Sequence, residues 1–477
     1  MNTKKRLVIG FTIVEVMVVI FVIGILASIT YISYNGIQKK VIDVSLDSDV
    51  QRIAALETSY KANHGVVGVA YYSGNGTGSV LGFTPKSGNV IDVVFNSVGY
   101  CVRGYNVKGT ENSIYSPSTK ESSPGVCSQL DPSVSAVGDY YGGSRSYGIA
   151  AGDVLAYMSQ SDLNQYVVSL QDLGVKWVRW DIEWGLVQPN NSTTFDWTAV
   201  DRVANTLKSH NLNSLGIILA VPQWARQSAC STIWECSPSD PQTYGTFAGQ
   251  VAARYKDSIT NFEIWNEPNT NWLPAPNATQ YGNVLHAAYT AIKNGNPSAK
   301  VVGGSLSPAS DDGTNIAPLT FLQSLYSSNN NQYFDYLGVH PSSFPMSPNY
   351  VASWNAWQQM YTAHQYMIDH GDSAKKVWIT EYCSPTKGTG LSFEVNQSGT
   401  YNWGTDYMSE AAQSQLMTSA IDSYVQNSSW IGNFFYYSLI DKGTVLSDQE
   451  NFYGLIRFDG TKKPSYDVFK SAVKQDS

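Results

Sequence analysis

Asn261-Phe-Glu-Ile-Trp-Asn-Glu-Pro-Asn269 is a short apolar run that delivers a carboxylate, Glu267, at its carboxyl end. Lys376-Val-Trp-Ile-Thr-Glu-Tyr382 repeats the arrangement with Glu381. β-Branched and aromatic residues enrich both runs, so each reads as a strand. Outward from these two, six more strand candidates appear: Tyr147–Ala150, Val175–Trp180, Ser214–Val221, Lys300–Gly304, Tyr336–His340 and Asn433–Tyr437. Helical periodicity falls between them, as in Ser161–Leu173, Trp197–Ser209 (with Asp196 as its cap) and Ala411–Gln426, and Pro464–Val473 is the last helix. Eight alternating units predict a (β/α)8 barrel rather than an open doubly wound sheet. No Gly-x-Gly-x-x-Gly follows the first strand, which disfavours a dinucleotide fold.

In such a barrel the carboxyl ends of the strands form the active face. Strands four and seven lie across that mouth from each other, so Glu267 and Glu381 can meet at about 5–5.5 Å, the spacing of a retaining glycosidase pair. Burial and the neighbouring anion predict a Glu267 that rests protonated. The competing view makes both glutamates solvated strand-end residues, and two of them in matching contexts weigh against it.

With this order and these motifs, residues 147–477 resemble glycoside hydrolase clan A, and Glu-Ile-Trp-Asn-Glu-Pro-Asn is most similar to family 39, with families 5 and 51 as neighbours. The resemblance implies Glu267 as general acid/base and Glu381 as nucleophile. It implies Asn266 as a ligand for a sugar hydroxyl and Arg179 as the cation beside the nucleophile, unless Arg179 pairs with Asp181 or Glu183 instead. It also implies an active-site role for His340, in Gly-Val-His-Pro. Trp184, Trp224, Trp265 and Trp272 are candidates for stacking on sugar, Trp265 being alternatively core. An aromatic residue at the end of strand eight commonly floors the subsite in the clan, and Tyr436 and Tyr437 stand there in place of the frequent Trp.

Bulk composition narrows the alternatives. At 477 residues the chain has room for two or three domains. Aromatic residues make up 13% and charged residues 14%, and part of that aromatic surface suits flat sugar faces. A net charge of −8 argues against a nucleic-acid partner. The six histidines are scattered and no Cys-x-x-Cys occurs, so neither a metal site nor a cofactor is expected. No Gly-x-Ser-x-Gly elbow marks a serine triad. Five cysteines allow two bridges in an exported protein, Cys101–Cys127 and Cys230–Cys236, with Cys383 left over.

At the other end, Lys4-Lys-Arg6 precedes Gly10, and Phe11-Thr-Ile-Val-Glu15 opens an apolar run of bilayer-spanning length. The basic flank places its amino end in the cytoplasm. Glu15 is a lone carboxylate within that run, costly in lipid unless paired. Lys-Lys-Arg-(x)3-Gly-Phe-Thr-x-Val-Glu resembles the processing site of type IV pilins and pseudopilins. That resemblance implies cleavage by a prepilin peptidase between Gly10 and Phe11, methylation of Phe11, and pairing of Glu15 with a neighbouring pilin subunit.

The expected organisation is a leader at 1–10, a pilin-like domain at 11–130 with its transmembrane helix at about 11–34 and a small α+β head, a linker at 131–146 and the barrel at 147–477. The expected function is a retaining β-glycosidase or endoglycanase acting on a polysaccharide outside the cytoplasmic membrane, anchored there or carried on a pilus. Its rivals are a catalytically silent glycan-binding adhesin and a structural minor pilin.

Overall fold

The computed structural model describes residues 45–56, the segments 71–73, 86, 89–95, 100–106, 113–116 and 121–124, and residues 145–475 apart from 229 and 231–234. The chain forms two units, Met1–Ser135 and Ala136–Ser477. The leader, the span at about 11–34, Gly10, Phe11, Glu15, most of the linker and the side chains of Cys101 and Cys127 lie outside the described residues. Among the described residues no helix is long and apolar enough to cross a membrane.

In the first unit, β1 (Tyr71–Ser73), β2 (Asn89–Phe95), β3 (Tyr100–Asn106), β4 (Ser113–Ser116) and β5 (Glu121–Pro124) form an antiparallel sheet in sequence order. Residues 45–56 are helical and bury Leu46, Val50, Ile53 and Ala54, the three-to-four spacing of one helix face. Gly104 lets that face approach the sheet, because a Cβ there would stand 2.5 Å from Val50 and 2.9 Å from Leu46. Buried Asp49 ties helix to sheet by accepting the Lys86 N–H and the Asn89 amide, both at 2.7 Å.

The second unit is a closed parallel barrel. Its strands are β6 (Ser146–Gly152), β7 (Trp177–Glu183), β8 (Asn213–Leu219), β9 (Asn261–Ile264), β10 (Lys300–Leu306), β11 (Tyr336–Val339) and β12 (Val377–Tyr382). A two-stranded sheet, β13 (Ser392–Phe393) with β14 (Tyr407–Met408), interrupts the connection to the eighth barrel strand, β15 (Ile431–Tyr437). All eight expected runs are barrel strands. The helices follow the sequence signals closely. Gln160–Leu173 begins where the Ser159 hydroxyl accepts the Asp162 N–H and ends at Gly174, whose φ of 85° is left-handed. Asp196 accepts the Thr198 N–H at 3.0 Å at the start of Thr198–Ser209.

Inside the barrel the layers differ in chemistry. Trp378 stacks on Tyr336 at 4.7 Å and meets Trp177 edge-on at 5.6 Å, with Phe435 alongside. Gly148 and Gly432 make room for this aromatic plug, since a Cβ on either would overlap Phe435 or Trp378. Farther along the strands the interior turns charged, with Arg179 and Glu263 both buried.

After β15 the chain carries a second buried ion pair. Lys463 Nζ donates to Asp441 at 2.7 Å, to the Thr386 hydroxyl at 2.8 Å and to the Phe452 carbonyl at 3.1 Å. Burial pulls the lysine pKa down and pushes the aspartate up, while each partner's charge opposes the shift in the other. Removing one member strands the other in a dry site. Lys463→Met is therefore predicted to cost about 3–5 kcal/mol in denaturant unfolding, and Lys463→Met with Asp441→Leu distinctly less.

Candidate active site

Three neighbouring barrel strands end in left-handed backbone. Ala220 follows β8 with φ 57°, Trp265 follows β9 with φ 67°, and Ser305 lies in β10 with φ 49°. Glu267 itself has φ 52°. Non-glycine residues hold such conformations only where surrounding bonds over-determine them. The Asn-Glu-Pro-Asn segment meets that condition. Trp265 Nε1 donates to the Asn271 carbonyl at 2.7 Å, and Asn271 Nδ2 donates to Glu267 Oε2 at 2.9 Å. Asn269 donates to the Ser307 and Ile316 carbonyls and accepts the Ser307 N–H, each at 2.9 Å.

Arg179 organises the floor of the site. Its guanidinium is 1% exposed and donates through Nε to Glu263 at 2.5 Å, through Nη1 to Glu381, and through Nη2 to Asn266 Oδ1 at 2.8 Å. The Asn266 amide nitrogen is left to donate elsewhere. Glu263 is held from its other side by the Ser305 hydroxyl. Gly338 is the reason the carboxylate fits, because a Cβ there would stand 2.9 Å from Glu263 Oε1. Arg179 thus pairs with Glu263 and Glu381, and makes no ion pair with the nearby Asp181 or Glu183.

His340 joins the two exposed carboxylates. Its Nδ1 lies 2.8 Å from Glu267 Oε1 and 3.7 Å from Glu381 Oε2. Those two oxygens are therefore at most about 6.5 Å apart, the sum of the two distances, and this leaves out the wide separations of inverting enzymes. The glutamate side chains keep 21% and 17% of their surface exposed, open to a ligand.

The electrostatics reverse one expectation. Burial raises the Glu267 pKa, but the His340 hydrogen bond and charge, with Ser307 and Arg179, outweigh it and leave the carboxyl below its ordinary value. For His340, burial lowers the pKa, yet Glu381 and Glu267 together raise it above 6.5. The charges of His340 and Glu267 thus favour each other, which opposes the rise toward a protonated Glu267 that burial alone would bring. The expectation of a protonated Glu267 counted burial and the neighbouring anion, and not the charge of His340.

Four of the aromatic candidates, Trp184, Trp265, Trp272 and Tyr436, are fully buried. Trp184 is fully buried, stacked on Phe247 at 5.3 Å with its Nε1 donating to Gln188. Half-buried Trp224 meets it edge-on, and both line a pocket of about 270 Å³ with Gln242 and Gln250, whose lining lacks Glu267 and Glu381. Tyr436 is buried toward the outer helices, 6.1 Å from Phe469. Tyr437 faces the barrel interior instead and donates to Glu450 Oε2 at 2.6 Å. Trp265 and Trp272 belong to the core. Cys230 and Cys236 are joined by a disulfide, and Cys383 is free. The sequence reading missed Glu263, although a carboxylate in the middle of an apolar strand is itself a signal of a buried partner.

Residues 142–430 match the family model for cellulase, glycosyl hydrolase family 5, and residues 6–31 match the prokaryotic N-terminal methylation motif. The fold is similar to that of a family 39 glycoside hydrolase from the gut symbiont Bacteroides cellulosilyticus WH2, at TM-score 0.52 and 16% identity over 81% of this chain and 70% of that one. It is similar to a family 5, subfamily 18 enzyme from Streptomyces cattleya in complex with GlcNAc, at TM-score 0.52 and 15% identity over 70% and 80% of the two chains. A monomeric beta-xylosidase from Caulobacter crescentus CB15 gives TM-score 0.50 and 15% identity over 69% and 67%. At these identities the likeness is one of fold. No curated protein matches the chain.

The His340 pairing has a direct readout. In a histidine side-chain NMR titration, His340 is predicted to stay charged above pH 6.5, and Glu381→Gln or Glu267→Gln each to lower its midpoint.

Proposed function

The chain belongs to the cellulase family, glycosyl hydrolase family 5, and from that premise we propose that it hydrolyses the β-glycosidic bonds of a polysaccharide with retention, Glu381 acting as nucleophile and Glu267 as acid/base. The observation that carries this reading is His340 Nδ1, which both glutamates approach, so that they converge on one small volume.

The chemistry follows from the charges. Arg179 donates to Glu381 and holds it in position to attack the anomeric carbon. The His340–Glu267 pair holds one proton across 2.8 Å, and its transfer through Glu267 to the leaving oxygen completes cleavage of the bond. The products of this step are a glycosyl ester on Glu381 and a free alcohol. Esterification removes the Glu381 charge, the strongest influence raising His340, so the pair is left without its proton. Glu267 then takes a proton from water, the hydroxide equivalent displaces Glu381, and the β-configured sugar leaves. With its oxygen bound to Arg179, Asn266 has its amide nitrogen left to donate to a hydroxyl next to the reacting carbon.

The methylation motif supports a second part of the reading. A prepilin peptidase cuts between Gly10 and Phe11, the apolar helix at 11–34 anchors the protein in the cytoplasmic membrane, and Glu15 meets other pilin subunits on assembly. A pilin-like domain to residue 130 and a linker at 131–146 then present the barrel outside the membrane.

The test incubates the full-length protein, in mild detergent, with β-linked polysaccharides while NMR follows the anomeric form of new reducing ends. β-Products from the parent and none from Glu381→Ala are predicted. Glu267→Gln should lose about 10²–10⁴-fold in rate on natural glycosides and much less on aryl glycosides whose leaving group needs no proton. Binding without release would favour an adhesin, and α-products would exclude retention.

A further inference from the structure

The cations of the barrel mouth are nearly all committed. Arg179 is divided between Glu263 and Glu381. His340 faces Glu267 and Glu381. Lys442 stands 3.7 Å from both Asp153 and Glu450. Among the described residues, Asp181 and Glu183 make no ion pair, although the charge of Arg179 acts on Asp181. Asp181 is 8% exposed and has no hydrogen-bond partner among the described residues. Glu183 is 2% exposed, with Oε2 accepting the Tyr157 hydroxyl at 2.7 Å and Oε1 buried without a partner.

Their place in the fold ties them to the sugar site. Along β7, Trp180 and Ile182 pack outward in the main core, so Arg179, Asp181 and Glu183 alternate toward the barrel interior. Arg179 touches Glu381, and each step of two residues advances about 6.6 Å toward the mouth. Asp181 therefore stands just above the nucleophile's cation, and Glu183 one step farther out.

We propose that Asp181 and Glu183 form a subsite for an ammonium group, which makes the preferred substrate a glycan of hexosamines with free amines. This rests on the reading of the paired glutamates as the sugar-cleaving centre. A neutral hydroxyl would supply one donor and no charge to favour ionisation of the pair. An ammonium brings three donors and a cation, and suits the unbonded carboxyl of Asp181, with the buried carboxyl of Glu183 adding negative charge behind it when ionised. A metal ion fits less well, because among the described residues no three His, Cys, Asp or Glu side chains are grouped to hold one. In the free protein both carboxyls are held toward the neutral form. Burial, then the carboxylates of Asp153, Glu183 and Glu381, push Asp181 up to about 8 against the pull of Arg179, and burial with Asp153 pushes Glu183 up to about 7 against the Tyr157 hydrogen bond.

The test uses the full-length Glu381→Ala protein, which cannot consume its ligand, and calorimetry at pH 6. The probes are β-linked glucosamine and galactosamine tetramers and their N-acetylated counterparts. An amine form is predicted to bind at least ten-fold tighter than its acetylated partner, and Asp181→Asn or Glu183→Gln to remove that preference. Both changes exchange a carboxyl for an amide of the same shape, and unchanged thermal unfolding at pH 5 will establish that the fold is intact. Equal or tighter binding of the acetylated forms, or a preference that survives both substitutions together, overturns the proposal. The protein with Glu381 intact separates the two readings. Cleavage of neutral glycans with no amine preference sinks the subsite and keeps the hydrolase. Amine-selective binding without cleavage of any probe or β-glucan does the reverse.

Discussion

One guanidinium, shared between two carboxylates inside a closed barrel, is the interaction on which the site depends. Isolated in a dry interior, Arg179 would be strongly unfavourable, and its partners offset that cost only by precise placement. Glu263 anchors it from β9, Ser305 from β10 locks Glu263, and Gly338 on β11 leaves the space. With the cation fixed in this way, Glu381 on β12 and Asn266 after β9 are drawn to its remaining N–H groups. Four strands are thereby committed to one charge, and the aromatic plug beneath it excludes water from the other side.

A second constraint acts at the strand ends. Trp265 and Glu267 both adopt left-handed backbone, so the chain turns sharply between strand and loop. The bonds of Asn269 and Asn271 hold that turn against its intrinsic cost, of order 1–3 kcal/mol per residue. The result is a carboxylate that meets His340 rather than one that projects into solvent. Strain and charge thus cooperate, and the same short sequence encodes both.

How much of this was legible in the sequence follows the range of each interaction. The eight strands were readable because their signal is local: β-branched and aromatic runs bounded by helical periodicity. Glu267 and Glu381 were readable as strand-end carboxylates. The partners of Arg179 were not, because Glu263 and Glu381 lie 84 and 202 residues away while Asp181 and Glu183 are close in sequence. Tyr436 shows the parity problem, since one residue along a strand exchanges the helix-facing side for the barrel interior, where Tyr437 stands. Trp184 and Trp224 were placed by their closeness to strand ends, which does not say whether a ring turns to the mouth or to the helices. The resting charge of Glu267 needed the position of His340, which no pattern within strand four contains.

The central claim is that Glu381 becomes covalently bound to sugar. Incubation of the full-length protein with a β-configured 2-deoxy-2-fluoro glycoside bearing an activated leaving group slows the second step more than the first. Intact mass followed by peptide mapping then locates any adduct. The account predicts one fluoroglycosyl group on the peptide that contains Glu381, and none on Glu381→Ala. An adduct on Glu267 or Glu263, or turnover of the reagent with inverted product and no adduct, would contradict it.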